Sequence, residues 1–320
     1  MAVWLDEVLS EKSLLLPGHS ACAGCGPAIN VRHVLGALAA ATPESRIVLV
    51  IPASCWTIIA GIWPVNAFGV TVHLTPFASA AAEASGIKAA LRLRGLGDTH
   101  VVVWGGDGAT CDIGLSGVSA AAERNEDVIY VLNDNEAYMN TGVQKSGATP
   151  EGAWTTTTPV GSPRVGKKKD IARIVAAHGV PYVATLAAGT VPMLRDFRAK
   201  VARAAEVEGF RFLHVLGACP PGWRYPTARS TEMARLAVES RYFPLLECDH
   251  GVWRITFRPK RVLPVSDFLA TQGRFAHLSP ADVAAVQAHV DERWELLAGL
   301  ESGEPASERV AAVAGSARPS

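Results

Sequence analysis

Two buried-strand runs with a glycine turn and a helix between them dominate residues 99–135, and they restrict the fold more than any other stretch. THVVVWGGDG (99–108) is apolar on both strand faces and ends in a glycine turn. DIGLSGVSAAAERNE (112–126) has helical character, with Asp112 as the predicted N-cap. DVIYVLNDN (127–135) is the next buried strand. Strand, turn, helix and strand in this order imply parallel strands, a right-handed crossover and a crevice at the strand C-termini.

The same rhythm extends on both sides. RIVLVIP (46–52), GVTVHL (69–74), PYVATLA (181–187) and FRFLHVLGAC (210–219) read as strands. Residues 27–41, with Pro27 at the first helical position, and 79–95, 170–179 and 191–209 read as helices. The predicted fold class is α/β, a parallel-sheet domain over 27–220. A Cys-rich arm (1–26) precedes it. A C-terminal extension (221–301) follows, predicted to pack on the domain or on a partner. It contains a strand at 251–259 and a helix at 279–301 capped by Ser279. Residues 302–320 are predicted to be a disordered tail. Segment 140–169 has three prolines, five glycines and no period, so it reads as a long loop, functional or disordered.

Thirty basic and thirty acidic residues cancel, and aromatics make up only 7%, which argues against a nucleic-acid surface. From Ile47 to Ala82 there is no Asp, Glu, Lys or Arg. Pro52, Gly61, Pro64, Gly69 and Pro76 interrupt that stretch, so buried strands and turns fit it better than a membrane span. The start, MAVWLDEVLSEKS, carries acids and lacks the apolar core of a signal peptide. Six cysteines are too few for a disulfide scaffold, so reduced thiols in a cytoplasmic protein are expected.

Asp107 lies at a strand end between Gly106 and Gly108. Glycine lets a phosphate approach the backbone closely, and the following helix turns its N-terminal amides to the same space. Asp107 offers a hard oxygen to Mg²⁺, Asn135 a second one strand later, and a backbone carbonyl just beyond it a third. This pairing resembles the thiamine-diphosphate motif, GDG followed one strand later by Asn.

Cys22 and Cys25 form a CxxC pair, while Cys55 and Cys219 each follow a predicted strand, as Asp107 does. Four thiolates brought to one sheet edge suit a [4Fe–4S] cluster. A structural zinc site, a redox dithiol and plain buried cysteines are the competing readings. Cys111 and Cys248 are read as incidental.

Together GHSACAGCG, GGDGATCDIG, NDNEAYMNTGVQKSGATPEGAWTTTTPVG and ACPPGW, within residues 17–276, resemble the β subunit of the 2-oxoacid:ferredoxin oxidoreductases. Pyruvate:ferredoxin oxidoreductase (pyruvate synthase) is the best-known member. The resemblance implies a pyrophosphate-type thiamine-diphosphate domain with Mg²⁺ on Asp107, Asn135 and the carbonyl of Ala137. It implies cofactor contacts from Gly106, Asp107, Gly108, Ala109, Asn135, Ala137, Tyr138 and Asn140, and also from Cys25, Gly26 and Cys55. Asn140 is the implied catalytic residue, near thiazolium and substrate. Cys22, Cys25, Cys55 and Cys219 would hold a [4Fe–4S] cluster. Ala53-Ser54 stands where relatives often have Thr-Gly, and Asn135 keeps an oxygen donor at a position that varies.

The implied reaction is oxidative decarboxylation of a 2-oxoacid, pyruvate first, to acyl-coenzyme A and CO₂, with electrons passing to the cluster. A branched-chain 2-oxoacid, 2-oxoglutarate, an arylglyoxylate or oxalate are alternative substrates. The implied partners are an α subunit carrying the pyrimidine domain, ferredoxin-like γ and δ subunits, and ferredoxin or flavodoxin as acceptor. His19 and Glu136 are further acid–base candidates for which packing or loop hydrogen bonding is the simpler expectation. A rival of another class is a non-redox thiamine decarboxylase or carboligase with a structural Cys₄ zinc.

Overall fold

A computed structural model describes residues 4, 8, 11, 13–61, 65–162 and 166–303. The predicted tail lies outside the described residues, apart from Ser302, which ends the last helix, and Gly303, its C-cap.

Eight strands form one sheet. They are β1 (Ile47–Pro52), β2 (Thr71–Thr75), β3 (His100–Gly106), β4 (Val128–Asp134), β5 (Tyr182–Leu186), β6 (Phe210–Leu216), β7 (Leu245–Asp249) and β8 (Val252–Phe257). Their spatial order is β2-β1-β3-β4-β6-β5-β7-β8. The first six are parallel, and β7 and β8 add antiparallel strands beyond β5. The α/β parallel-sheet class is therefore observed, and the 251–259 strand pairs with a neighbour at the sheet edge.

Central strands β3, β4 and β6 are buried almost throughout, as their unbroken apolar runs require. Alternate side chains enter opposite cores. On one face, Leu49, Trp104, Val131 and Val215 meet α1 (Gly26–Ala41), α2 (Trp56–Ile59) and α6 (Val191–Glu206) through Val31, Leu35, Trp56, Phe197 and Val201. On the other, Val103, Tyr130 and Phe212 meet α3 (Ala80–Leu93), α4 (Leu115–Glu123) and α5 (Ile171–Ala176). A third core, including Trp223, Met233 and Phe268, joins α7 (Pro220–Trp223), α8 (Ser230–Glu239) and α9 (Val265–Leu269). The last helix, α10 (Pro280–Ser302), starts with a capping box in which Ser279 and Asp282 satisfy each other's backbone amides.

One local expectation is corrected. Asp112 does not cap the helix after the glycine turn. The chain first makes a π-helical turn, Gly108–Asp112, and α4 begins only at Leu115 with Gly114 at its N-cap. The Asp112 carboxylate instead accepts from the Gly147 amide at 2.9 Å and the Tyr138 hydroxyl at 3.0 Å. A loop amide and a phenol thus compete successfully with the local cap.

The sheet places the crevice. From β1 the chain moves outward to β2, then returns to the other side of β1 as β3. The strand order reverses there, so a cleft opens between the C-terminal ends of β1 and β3. Ser54 and Cys55 leave β1 on one side of it, and Asp107 leaves β3 on the other.

Candidate active site

A cavity of about 240 Å³ occupies this switch point. Cys22, Cys25, Cys55 and Cys219 line it, together with Gly106, Asp107, Gly108, Ala109, Asn135, Ala137, Tyr138 and Asn140. The two groups of residues singled out in the sequence thus share one space. Gly26 is the exception. It lies outside the lining, and its amide donates to the Ala218 carbonyl at 3.0 Å. A Cβ on Gly26 would sit 2.5 Å from that carbonyl oxygen, so glycine lets α1 close onto the end of β6. His19 also lies outside the lining and contacts Arg32 at 2.9 Å.

Asp107 is 3% exposed, and Ser146 Oγ donates to its Oδ2 at 2.5 Å. Burial and the nearby Asp134 push its carboxyl well above the usual carboxylate range, against the pull of Ser146 and Lys168. A bound cation would favour the ionised carboxylate. Asn135 is buried too, and its Oδ1 has no hydrogen-bond partner. An orphaned acceptor beside a buried carboxylate is the donor set a hard cation takes. Gly108 shapes the floor, because a Cβ there would lie 2.1 Å from the Tyr138 ring. These residues fit a magnesium diphosphate.

The turn after β4 is held from behind. Glu136 has a left-handed φ of 68°, which reverses the chain directly after Asn135. Thr149 Oγ1 donates to the Glu136 carbonyl at 2.7 Å. Lys168 Nζ donates to Asp134 Oδ2 at 2.6 Å and to Glu136 Oε1 at 2.7 Å. Arg274 donates to Glu136 Oε2 at 2.5 Å, and His214 contacts Asp134 Oδ2 at 2.8 Å. Burial opposes the charged ammonium of Lys168, but Asp134 and Glu136 raise its pKa overall. The Glu136 carboxylate therefore serves this buried network and is not among the cavity-lining groups. Thr149, Thr155, Thr156, Thr157 and Thr158 also lie outside the lining, so the Thr-rich segment acts as a strut.

The cysteines surround the other half of the cavity. Burial pushes the Cys25 and Cys219 thiols up to about 12 and Cys55 to about 11, and neighbouring cysteines add to each shift. Mutual electrostatic influence among separated sequence positions reflects their convergence. Among the described residues, no three His, Cys, Asp or Glu groups gather closely enough to hold a single metal ion. The four thiols reach the one cavity from three separate parts of the chain. Cys111 and Cys248 are buried, and neither lines the cavity.

Residues 63–215 match the family of the thiamine pyrophosphate enzyme C-terminal TPP binding domain. The chain is 44% identical over 293 residues to the ketoisovalerate oxidoreductase subunit VorB of Pyrococcus horikoshii, covering 88% of this chain and 92% of the relative. It is 42% identical over 286 residues to the pyruvate synthase subunit PorB of Methanothermobacter marburgensis, covering 88% and 96%. The chain belongs to the 2-oxoacid:ferredoxin oxidoreductase family. A 2-oxoglutarate:ferredoxin oxidoreductase from Magnetococcus marinus shares the fold, with a TM-score of 0.56 at 20% identity over 98% of this chain and 96% of that one. As a 2-oxoacid:ferredoxin oxidoreductase chain it is an oxidoreductase component with a thiamine-diphosphate domain. Among the described residues, no helix is long and apolar enough to cross a membrane.

Several supporting residues, some of them inside the quoted motifs, had no individual role readable in the sequence. Ser146 and Lys168 from segment 140–169, Trp223 from α7 and Arg274 from a turn near residue 274 reach the site from three parts of the chain. Lys168, within the KKK run, reads as a solvated charge by composition alone.

Proposed function

We propose that this chain is the thiamine-diphosphate-binding catalytic subunit of a coenzyme A-dependent 2-oxoacid:ferredoxin oxidoreductase that oxidatively decarboxylates pyruvate. The observation that carries this reading is the single cavity shared by Asp107, the orphaned Asn135 Oδ1 and four cysteines. Bound there, thiamine diphosphate supplies the electron sink for decarboxylation and an iron–sulfur cluster the one-electron acceptor.

The residues of this chain bind and orient. Asp107, Asn135 and the Ala137 carbonyl hold Mg²⁺, with Ser146 aligning the Asp107 carboxylate. Gly106, Gly108 and Ala109 admit the diphosphate, and Tyr138 walls its pocket. Asn140, exposed at the mouth, meets the substrate. Cys22, Cys25, Cys55 and Cys219 hold a [4Fe–4S] cluster. A tetrahedral zinc requires four sulfurs at about 2.3 Å from one point. One close CxxC pair with two distant single cysteines lacks the two knuckles that usually supply them. An α subunit bearing the pyrimidine domain and ferredoxin-like γ and δ subunits complete the enzyme, and ferredoxin or flavodoxin accepts the electrons.

A second substrate reading, the branched 2-oxoacid 2-ketoisovalerate, is favoured by the 44% identity to the ketoisovalerate oxidoreductase subunit. Steady-state kcat/KM of the assembled enzyme on both acids decides between them. Replacing Asp107 with Ala tests the site. Thiamine and magnesium should be lost from the purified complex while iron remains. Full thiamine occupancy in that variant would sink the magnesium assignment.

A further inference from the structure

We infer that Trp223 is a positioning residue that ties the diphosphate loop to the cysteine loop. This inference rests on the proposed roles of Asn135 and Cys219. Trp223 lies four residues beyond Cys219, at the end of α7, and is fully buried. Its backbone amide donates to the Cys219 carbonyl at 2.8 Å. Its indole Nε1 donates to the Asn135 carbonyl, also at 2.8 Å. One residue therefore joins, through its backbone amide and its indole, the backbone of a proposed cysteine ligand to that of the proposed magnesium ligand.

The indole is itself held in place. The Arg274 guanidinium lies 4.1 Å from its ring centre and also pairs with Glu136, the residue after Asn135. Phe268 meets the ring edge-on at 6.1 Å. A second contact runs in parallel. Gly222 has no Cβ because one would sit 2.2 Å from the sulfur of Met139, in the chain just before Asn140. That same Cβ would lie 3.5 Å from Cys219 Sγ. The Gly222-Trp223 pair is thus where the two loops interlock.

Trp donates through Nε1 and accepts nothing, so replacing it with Phe keeps an aromatic ring but removes this tie together with part of the buried ring volume, which the benzothienyl variant below restores. The buried Asn135 carbonyl then loses its donor, and the side chain beside it loses its fixed direction. In the assembled complex, Trp223→Phe should weaken binding of magnesium thiamine diphosphate by about tenfold, the equivalent of one buried hydrogen bond. Iron and sulfide should stay at wild-type levels. Phe268→Leu perturbs the same core without removing a donor. It should lower the melting temperature and leave cofactor affinity unchanged.

The decisive experiment is calorimetric titration of magnesium thiamine diphosphate into thiamine-stripped complexes of wild type, Trp223→Phe and Phe268→Leu, with iron and sulfide counted on each sample. Incorporating 3-benzothienylalanine at position 223 replaces the N–H with sulfur at nearly constant shape. It should reproduce the tenfold loss even if the Phe variant folds poorly. Unchanged affinity in the benzothienyl protein, or equal weakening in Trp223→Phe and Phe268→Leu, would overturn the positioning role. Failure of the wild type to bind magnesium thiamine diphosphate would instead overturn the functional reading on which it rests.

Discussion

Lys168 Nζ lies 2.6 Å from Asp134 Oδ2, and the same ammonium reaches Glu136 on the far side of Asn135. Both carboxylates are fully buried. Removing one member of a buried ion group leaves the others uncompensated, which is more damaging than losing the pair altogether. Lys168→Met should therefore destabilise the fold by about 3–5 kcal/mol. Urea unfolding measures this, and a loss below about 1 kcal/mol, the surface-pair range, would mean that the network is solvated.

Gly108 is predicted to be a steric requirement of the site. A Cβ at that position would overlap the Tyr138 ring, whose hydroxyl is tied to Asp112. Gly108→Ala should cost about 1–3 kcal/mol through overpacking and weaken thiamine binding. The two side chains meet directly, so their effects should not add. Tyr138→Ala in the Gly108→Ala background should recover part of the lost stability. Strict additivity in that double-mutant cycle would contradict the contact.

His33 gives a pH dependence. Burial, then the charges of Arg198 and Arg32, lower its pKa from 6.5 to about 4. It sits against Phe197 with ring centres 6.1 Å apart. Between pH 6.5 and 4 the unfolded chain binds a proton that the folded chain refuses. Stability from this group is complete above pH 6.5 and is lost as pH falls towards 4, by at most about 3 kcal/mol. His33→Gln should flatten the melting-temperature profile in that window and leave it unchanged above pH 7. A wild-type slope in the variant would assign the acid sensitivity to other groups.

Much of the frame was legible because the relevant signals are local. Buried runs such as VVVWGG and VIYVL allow few alternatives to central parallel strands; glycines mark the end of the first and the polar Asn133-Asp134-Asn135 run that of the second. Asp107 and Asn135 could be paired because a crossover places consecutive strand ends side by side. The support behind them was not legible. Lys168, His214, Tyr242 and Arg274 converge on Asp134 and Glu136 from four regions of the chain. No periodicity records such a meeting. Asp112 failed as a cap because its partners, Gly147 and Tyr138, come from later parts of the chain whose contact with it no local pattern records. The close approach of Gly26 to Ala218 was not legible either, since a close backbone approach and a cofactor contact both call for glycine.

The central claim is that the four cysteines carry an iron–sulfur cluster beside the thiamine site. Anaerobic purification of the complex, comparing wild type with a Cys25→Ser variant, tests it most directly. Iron, acid-labile sulfide and zinc are counted, and the EPR spectrum is recorded after dithionite reduction. The account predicts about four irons and four sulfides fewer per complex in the variant, with loss of one cluster signal. Equal iron in the two proteins, or loss of a single zinc and no change in EPR, would contradict it.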